Sequence, residues 1–339
     1  MNIVIYSPNF YPMTGGLEHA VLDLAGEFSR QGQVVTVITH TPATEADNFP
    51  FQVLRNPRFW HQTGIMRRTD LVLQFNVSLK GILPWLFSRK PLVVSHQTPY
   101  REDIRGRIKT WIANHVAILN IGCSNYMSRR FRRSVTIPNP YNHELFGVRT
   151  PWERRARDLI FVGRLVSDKG ADLILQALAL LRKKGMEPGL SIVGSGPEAP
   201  KLKRLVQQYA LDRQVTFPGL KKGPDLVEAI NLHRIMVVPS VWEEPFGIVA
   251  LEGLACGCIV IGSNGGGLPE AMGGFGMTFP NRDVAALAAC LESVLKEPGR
   301  FLPQGDLLAL HLERHQRSKT ARQYLKVLGQ CIREQNGFK

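Results

Sequence analysis

The sequence of 339 residues has few cysteines and no long apolar run, and both features exclude classes of protein. Its five cysteines are odd in number and scattered, which fits neither a disulfide framework nor the usual spacing of a zinc site. Because Cys256 and Cys258 lie in an apolar stretch, we expect buried thiols in a reducing compartment. No run of about 18 apolar residues occurs, so the sequence predicts no membrane-spanning helix.

The amino-terminal segment lacks the features of a secretory signal. The chain starts with the short apolar run Asn2–Tyr6, which has neither a basic stretch before it nor a long apolar stretch after it. From this we expect a cytoplasmic protein.

Acidic residues are outnumbered by basic ones. The chain has 42 Lys and Arg against 28 Asp and Glu, a formal net charge of +14. Such a chain is attracted to polyanions, which include phosphates, nucleic acid and an anionic bilayer. We do not expect a nucleic-acid partner, because no zinc-finger spacing, RNA-recognition aromatic motif or evident recognition helix is present.

Each half of the chain opens with a strand, a glycine loop and an amphipathic helix. In the first half the strand covers residues 2–7, the loop contains Gly16, and the next strand is Val34–Thr39. The pattern restarts with strands at Leu159–Val162 and Leu190–Val193. Alternating strands and helices predict parallel sheets covered on both faces. We therefore predict an α/β fold of two Rossmann-like, doubly wound domains facing across a cleft, with ligands at the carboxyl ends of the strands.

The domain boundary is expected near the middle of the chain. A domain usually has about 150 residues, and Arg149–Arg157 is polar and lacks periodicity, as expected of a linker. The predicted domains are 1–150 and 151–312, followed by a helix in 313–339 that packs back on the first domain. Between Thr41 and Asp70 we expect few regular elements.

Two cations stand on the loop Gly163–Gly170, where a strand leads into a helix. Backbone N–H groups at the helix start would form an anion site if Arg164 and Lys169 converged on one ligand. In the alternative interpretation, Ser167 or Asp168 caps the helix and both cations are solvated.

A second glycine loop follows the next strand. Gly194, Gly196 and Ala199 match the dinucleotide pattern G-x-G-x-x-A, but that pattern belongs in the opening unit of a domain and here it occurs one unit late. The glycines are better explained by the close approach of a base or ribose to the backbone.

Two glutamates separated by seven residues form the most specific motif. Pro245 and Gly247 suit the first turn of a helix that begins just after Glu244, so Glu252 would lie two turns inside it. The two carboxylates would then be about 12 Å apart, too far for a glycosidase pair, which needs roughly 5 to 9.5 Å. The spacing suits an extended ligand with hydroxyls at both ends and a diphosphate between them. In the alternative, both glutamates are ordinary surface charges.

Together these segments resemble glycosyltransferase family 4, the retaining GT-B enzymes among the glycosyl transferases group 1. The E-x7-E signature is complete, and the run from Val237 to Glu270 follows the family pattern. The resemblance extends from residue 1 to about residue 335. It also includes Gly15-Gly16-Leu17-Glu18, His96, Ile137-Pro138-Asn139 and Val215–Gly219.

The resemblance implies a role for each matching residue. Arg164 and Lys169 would bind the donor diphosphate, Glu252 the ribose, and Glu244 with the backbone of Phe246 and Gly247 the transferred sugar. Ile248 would begin a helix whose N–H groups meet the phosphates. Phe217 and Leu220 would frame the base beside Gly194 and Gly196, Gly16 would approach the phosphate, and His96 would contact the sugar. A buried, structural His96 is the alternative.

The resemblance also implies how the reaction proceeds. The acceptor would attack from the side that the nucleotide leaves, and the leaving phosphate would take its proton. Fixed cations and a helix N-terminus would stabilise the charge that develops on the diphosphate. No Asp-x-Asp metal motif occurs in the chain. We therefore expect no metal and no cofactor, with the nucleotide sugar as co-substrate.

A basic segment of the chain favours contact with a membrane. Eight Lys and Arg lie between Arg101 and Arg133 against only Glu102 and Asp103, and Trp111 is interleaved with them. Such a patch fits an anionic leaflet, where lipid-linked acceptors are found. The alternative is a solvated helix face.

The sequence favours a hexosyltransferase that uses a UDP-sugar and a glycan or lipid-linked acceptor, in polysaccharide or glycolipid biosynthesis. GDP and ADP donors stay open. Two alternatives are a non-hydrolysing sugar-nucleotide epimerase, which shares the architecture, and an inactive basic scaffold that binds nucleic acid or membrane.

Overall fold

A computed structural model describes residues 1–13, 15–43 and 46–337 of the chain. The chain divides into two compact units, each described here by itself. Unit 1 consists of residues 1–140 and the chain from His315 onward, and unit 2 is Tyr141–Arg314. The last two residues of the predicted segment 313–339 lie outside the described residues.

Unit 1 is built on a parallel sheet. Its described strands are β1 (Asn2–Tyr6), β2 (Val34–Thr39), β3 (Gln52–Arg55), β4 (Leu71–Phe75), β5 (Leu92–His96), β6 (Leu119–Gly122) and β7 (Ser134–Thr136). They lie in the order β3-β2-β1-β4-β5-β6-β7. The helices between them are α1 (Gly16–Arg30), α2 (Phe59–Arg67), α3 (Leu79–Leu86), α4 (Ile104–His115) and α5 (Asn125–Ser128).

The order of the strands fixes the sides on which the helices lie. Parallel strands are joined by right-handed crossovers. The connection from β1 to β2 runs toward one edge of the sheet, and the connections from β3 to β4, β4 to β5 and β5 to β6 run toward the other edge. Helix α1 therefore covers one face, and α2, α3 and α4 cover the other.

Unit 2 has a second parallel sheet. Its described strands are β8 (Arg157–Val162), β9 (Leu190–Val193), β10 (Val215–Gly219), β11 (His233–Val238), β12 (Ile259–Ser263) and β13 (Met277–Phe279), in the order β10-β9-β8-β11-β12-β13. The helices are α6 (Ala171–Arg182), α7 (Ala199–Gln208), α8 (Gly223–Asn231), α9 (Ile248–Ala255), α10 (Leu268–Met272), α11 (Val284–Lys296) and α12 (Asp306–Arg314), and the chain continues into α13 (Arg317–Gly337).

Helix α13 completes the core of unit 1. Tyr324 and Leu328 on α13 share a buried cluster with Leu24 and Phe28 of α1. The hydroxyl groups of Tyr324 and Ser95 lie 2.8 Å apart in a buried hydrogen bond. The carboxyl-terminal helix is thereby fixed on the face that α1 covers.

The segment between Thr41 and Asp70 is more regular than expected. It contains the edge strand β3 and the helix α2. Two of the three buried residues of α2, Gln62 and Thr63, are polar. Helix α2 therefore lacks the apolar periodicity by which an amphipathic helix is recognised in a sequence.

The segment Arg149–Arg157, in which the linker was predicted, is packed within unit 2. It contains a 3-10 turn and ends at the first residue of β8. The Arg155 side chain is buried and donates hydrogen bonds to the backbone carbonyls of Thr150 (3.2 Å) and His233 (2.8 Å). A charged side chain is seldom buried unless its donors are satisfied, as those of Arg155 are. The polar composition of this segment therefore does not show that it is exposed.

The helix of the E-x7-E motif begins later than predicted. Helix α9 starts at Ile248, as the family resemblance implied, and not just after Glu244. Gly247 is its N-cap residue, with φ of 101°, a conformation that glycine adopts without strain. Glu252 therefore lies one turn inside the helix rather than two, and the predicted 12 Å spacing along a single helix does not apply.

Candidate functional site

The first loop of the site follows β8. Its chain passes through Gly163 and Arg164 into a 3-10 turn, Ser167–Lys169, before α6 begins. Gly170 joins the turn to the helix with φ of 65°, and neither Ser167 nor Asp168 caps α6 with its side chain. Arg164 is exposed, and its guanidinium makes no ion pair within the described parts of the chain.

The second loop follows β11, the neighbour of β8 in the sheet, and packs tightly on the first. The backbone N–H of Val241 donates to the carbonyl of Asp168 at 2.9 Å. A Cβ atom on Gly170 would lie only 2.1 Å from the carbonyl oxygen of Pro239. Only glycine therefore allows the two loops to approach this closely.

An ion pair joins the two loops. The Lys169 ammonium contacts Oε1 of Glu244 and lies 5.8 Å from the ring centre of Trp242. Glu244 is 7% exposed, and its Oε1 also accepts a hydrogen bond from the Ser240 hydroxyl at 2.6 Å. A nearly buried carboxylate needs such partners to offset the cost of desolvation. Two residues that the sequence assigned to different parts of the donor thus contact each other directly.

The backbone around Glu244 is held by a third loop, which follows β12. The N–H of Gly267 donates to the Glu244 carbonyl at 2.6 Å. A Cβ atom on Gly266 would lie 2.2 Å from the same carbonyl oxygen. Phe246 is buried beyond Glu244, so the chain enters α9 along a fixed path.

Glu252 and Ile248 lie on α9. Ile248 is the first residue of the helix, where the N–H groups have no partner within the helix and carry partial positive charge. Glu252 is half-buried on the same helix. The roles predicted for both residues stay predictions.

The second glycine loop packs on the first loop of the site. Gly194 and Gly196 have φ of 151° and 158°. Cβ atoms there would lie 1.9 Å from the Gly163 carbonyl oxygen and 2.4 Å from the Leu165 carbonyl oxygen. The glycines therefore allow the two loops to pack on each other. The sequence interpretation explained these glycines by the approach of a ligand alone and did not include this packing.

The two residues predicted to frame the base lie on β10 and just after it. Phe217 is half-buried against the core of unit 2, with the Lys203 ammonium 5.8 Å from its ring centre. Leu220 is exposed, just beyond the strand. The carboxyl end of the edge strand β10 lies beside the Gly194 loop, because the Gly194 N–H donates to the Gly219 carbonyl at 2.9 Å.

The remaining two predicted site residues, Gly16 and His96, belong to unit 1. Gly16 is the first residue of α1. His96 ends β5 and is completely buried. Its ring nitrogens bond to the Tyr100 hydroxyl at 2.9 Å and to Asn120 Oδ1 at 2.8 Å, and its ring stacks on Phe131. These contacts fit the buried, structural alternative, and the predicted contact of His96 with the transferred sugar stays a prediction.

Three residues of the site were not identified from the sequence. Ser240 supports the Glu244 carboxylate, Trp242 lies beside Lys169, and Gly266 permits the backbone contact with Glu244. All three lie within the run from Val237 to Glu270 that carries the resemblance. The residue types alone gave no signal, because serine, tryptophan and glycine often have purely structural roles.

Among the described residues, no group of three or more His, Cys, Asp or Glu could hold a metal ion.

Comparison with models of protein families gives a match over the second half of the chain. The model of the family described as glycosyl transferases group 1 matches residues 148–323. A glycogen synthase of Mycobacterium tuberculosis (strain CDC 1551 / Oshkosh) is 37% identical over 143 residues, which are 42% of this chain and 34% of that protein. A D-inositol 3-phosphate glycosyltransferase of Pseudarthrobacter chlorophenolicus is 31% identical over 169 residues, 48% of this chain and 40% of that protein. The chain thus matches well under half the length of each of these relatives.

Comparison with solved structures covers nearly the whole chain. Anabaena Alr3699/HepE in complex with UDP has a TM-score of 0.82 at 19% identity, with 97% of this chain and 100% of that chain covered. Sucrose-phosphate synthase of Thermosynechococcus elongatus has a TM-score of 0.77 at 22% identity, with 100% of both chains covered. The likeness shows the fold, and the predicted α/β class with GT-B architecture is confirmed.

We predict that Gly170→Ala weakens the contact between the two loops. The added Cβ would overlap the Pro239 carbonyl, and overpacking of this kind typically costs about 1–3 kcal/mol. Gly185→Ala is the matched control, because Gly185 has a similar φ of 75° but nothing within 4 Å of its Cβ position. Urea unfolding of both variants should show the larger loss of unfolding free energy for Gly170→Ala. Equal losses would contradict the close contact.

We also predict that His96 makes stability depend on pH. Burial lowers the pKa of His96 to about 4 from an ordinary 6.5, so the unfolded chain binds a proton that the folded chain excludes between these values. The contribution of neutral His96 to the free energy of unfolding is therefore complete above pH 6.5. It is lost as the pH falls toward 4, by up to about 3 kcal/mol. His96→Gln should make the unfolding free energy less dependent on pH in this interval. His233, whose pKa burial also lowers to about 4, is present in both proteins and cancels in the comparison. An unchanged pH profile would contradict the burial of His96.

Proposed function

We propose that the chain, which belongs to the glycosyl transferases group 1 family, is a retaining, metal-independent glycosyltransferase. It would move a hexose-type sugar from a nucleotide-diphosphate sugar to a glycan or lipid-linked acceptor, in polysaccharide or glycolipid biosynthesis. The observation that carries the proposal is the ion pair between Lys169 and Glu244. Two residues expected to hold the donor at different points are thereby part of one site, at the carboxyl ends of the neighbouring strands β8 and β11.

The charges of the site suit a diphosphate. An ammonium group has three N–H donors, and the contact with Glu244 uses one of them. Lys169 can therefore keep this contact and still donate to phosphate oxygens. Arg164 precedes it on the same loop and is exposed to solvent. The α9 N-terminus, at Ile248, follows Glu244 closely along the chain and adds partial positive charge.

This arrangement favours departure of the nucleotide. When the bond between sugar C1 and phosphate breaks, negative charge develops on the leaving diphosphate and positive charge on the sugar ring. Cations that are already in place stabilise that leaving charge without reorganising, and so lower the barrier. The proposed retention of configuration requires the acceptor to attack on the face that the diphosphate leaves. Glu244, Phe246 and Gly247 would orient the sugar for this attack.

We propose UDP as the nucleotide of the donor. Anabaena Alr3699/HepE has been solved in complex with UDP and with UDP-glucose, and it shares the fold of this chain at 19% and 18% identity. Phe217 on β10 and Leu220 just after the strand would frame the base. Glu252, on α9, would bind the ribose hydroxyls.

We further propose that the basic segment Arg101–Arg133 contacts the anionic inner face of the plasma membrane, where a lipid-linked acceptor would be reached from the cytoplasm. Most of its bases are exposed, and so is Trp111 on α4. Each base near an anionic leaflet contributes about 1 kcal/mol. This contact would hold the acceptor side of the enzyme at the lipid surface.

The proposal predicts that Arg164→Ala and Lys169→Ala each lower kcat/KM for a UDP-sugar by roughly 10² to 10³, the range found for loss of one donor to a developing anion. Lys183→Ala, at the other end of α6, makes the same change of charge on an exposed side chain and is the control. Turnover is measured as UDP release with an acceptor present. A double Arg164/Lys169 alanine variant that turns over like wild type would contradict the proposal.

A further inference from the structure

Helix α3 of unit 1 is apolar on more than one side, but the protein covers only one of them. Gly81, Ile82 and Pro84 face the sheet and are buried. A Cβ atom on Gly81 would lie 2.6 Å from the Tyr6 ring, so the helix packs closely on β1. The outward face carries Leu79, Leu83 and Leu86, all exposed. The outward face of a surface helix is usually polar, so three exposed leucines on that face are unusual.

Aromatic side chains from α2 and from the C-cap of α3 extend this apolar face. Phe59, Trp60 and Phe87 contact one another edge to face, with ring centres 4.9 to 5.9 Å apart. Trp60 is 70% exposed. With the three leucines of α3 they form one surface, the aromatic–leucine patch. Its members are Phe59, Trp60, Leu79, Leu83, Leu86 and Phe87.

The rim of the aromatic–leucine patch is strongly basic. The chain from Gln52 to His96 contains seven Lys and Arg and a single acid, Asp70. The carboxylate of Asp70 accepts a hydrogen bond from the backbone of Asn2 at 2.7 Å. The Arg67 side chain donates to the carbonyl of Phe87 at 2.9 Å, which places a cation at the edge of the aromatic cluster. The exposed bases here are Arg58, Arg67, Arg68, Lys80 and Arg89.

We propose that the aromatic–leucine patch inserts into the interfacial region of an anionic lipid bilayer. An exposed tryptophan, leucines and phenylalanines surrounded by Lys and Arg are the composition of a surface that lies in a membrane interface. The apolar side chains would leave water, and the basic rim would meet lipid phosphates. A second copy of the chain is a poor occupant, because it would bring two basic rims together.

The patch is a different surface from the basic segment Arg101–Arg133, and its role does not depend on sugar transfer. Helices α2, α3 and α4 cover the same face of the unit 1 sheet, so both surfaces can meet one bilayer. They differ in physical character, since the segment binds through charge and the patch through apolar insertion. Salt screens charge, with a Debye length of about 3 Å at 1 M, but does not weaken apolar burial.

The experiment measures sedimentation of the protein with vesicles of equal parts phosphatidylcholine and phosphatidylglycerol, without donor or acceptor. We expect wild type to bind at low salt and to keep part of its binding at about 1 M salt. Trp60→Gln with Leu83→Gln should lower the partition coefficient at high salt by at least about tenfold. Leu307→Gln with Leu310→Gln is the matched control, because these α12 leucines are also exposed, and it should bind as wild type.

A second measurement avoids any effect of the double variant on folding. Brominated lipids quench the fluorescence of tryptophans that enter the bilayer, and quenching should fall in Trp60→Phe, which keeps the patch apolar. Three outcomes would overturn the proposal. The first is that wild type does not bind vesicles, and the second is that the double variant binds at high salt as well as wild type does. The third is a wild-type dimer in light scattering that Trp60→Gln with Leu83→Gln converts to monomer. That result would assign the patch to a second copy of the chain.

Discussion

The ion pair between Lys169 and Glu244 is the interaction on which the proposed site depends. It joins the loop after β8 to the loop after β11, and the Ser240 hydroxyl supports the same carboxylate oxygen. Without Lys169, Glu244 would be a nearly buried carboxylate with one fewer partner, at a cost of several kcal/mol if the charge were retained. Without Glu244, the Lys169 side chain would lose the contact that fixes its direction.

The glycines of the site make that pair possible by letting backbones approach each other. Gly170, Gly194, Gly196 and Gly266 each face a carbonyl oxygen at a distance that a Cβ atom would not allow. The loops at the carboxyl ends of the strands therefore form one packed layer rather than independent turns. A packed layer holds cations in place before a ligand arrives, which is the condition for electrostatic stabilisation of a leaving diphosphate.

The sequence predicted the fold better than the contacts within the site. Apolar periodicity located β1, α1, β8 and β9. Buried parallel strands appear in a sequence as short apolar runs, and amphipathic helices appear as apolar residues at helical spacing. The periodicity did not locate α2, whose buried face is partly polar, and it gave no sign that Arg155 is buried with its donors satisfied by carbonyls. Pairing of Lys169 with Glu244 could not be predicted, because the two residues are 75 positions apart and only the adjacency of β8 and β11 brings them together. The resemblance singled out Gly194 and Gly196, but it did not include the contacts between loops that these glycines permit.

The proposed function requires that Lys169, held by Glu244, recognises phosphate. Titration calorimetry of UDP and of uridine with wild type and Lys169→Met tests it most directly. We expect the substitution to weaken UDP binding by about tenfold or more, as for loss of a charged hydrogen bond, and to leave uridine binding unchanged. Equal UDP affinity in the two proteins, or an equal loss for UDP and uridine, would contradict it.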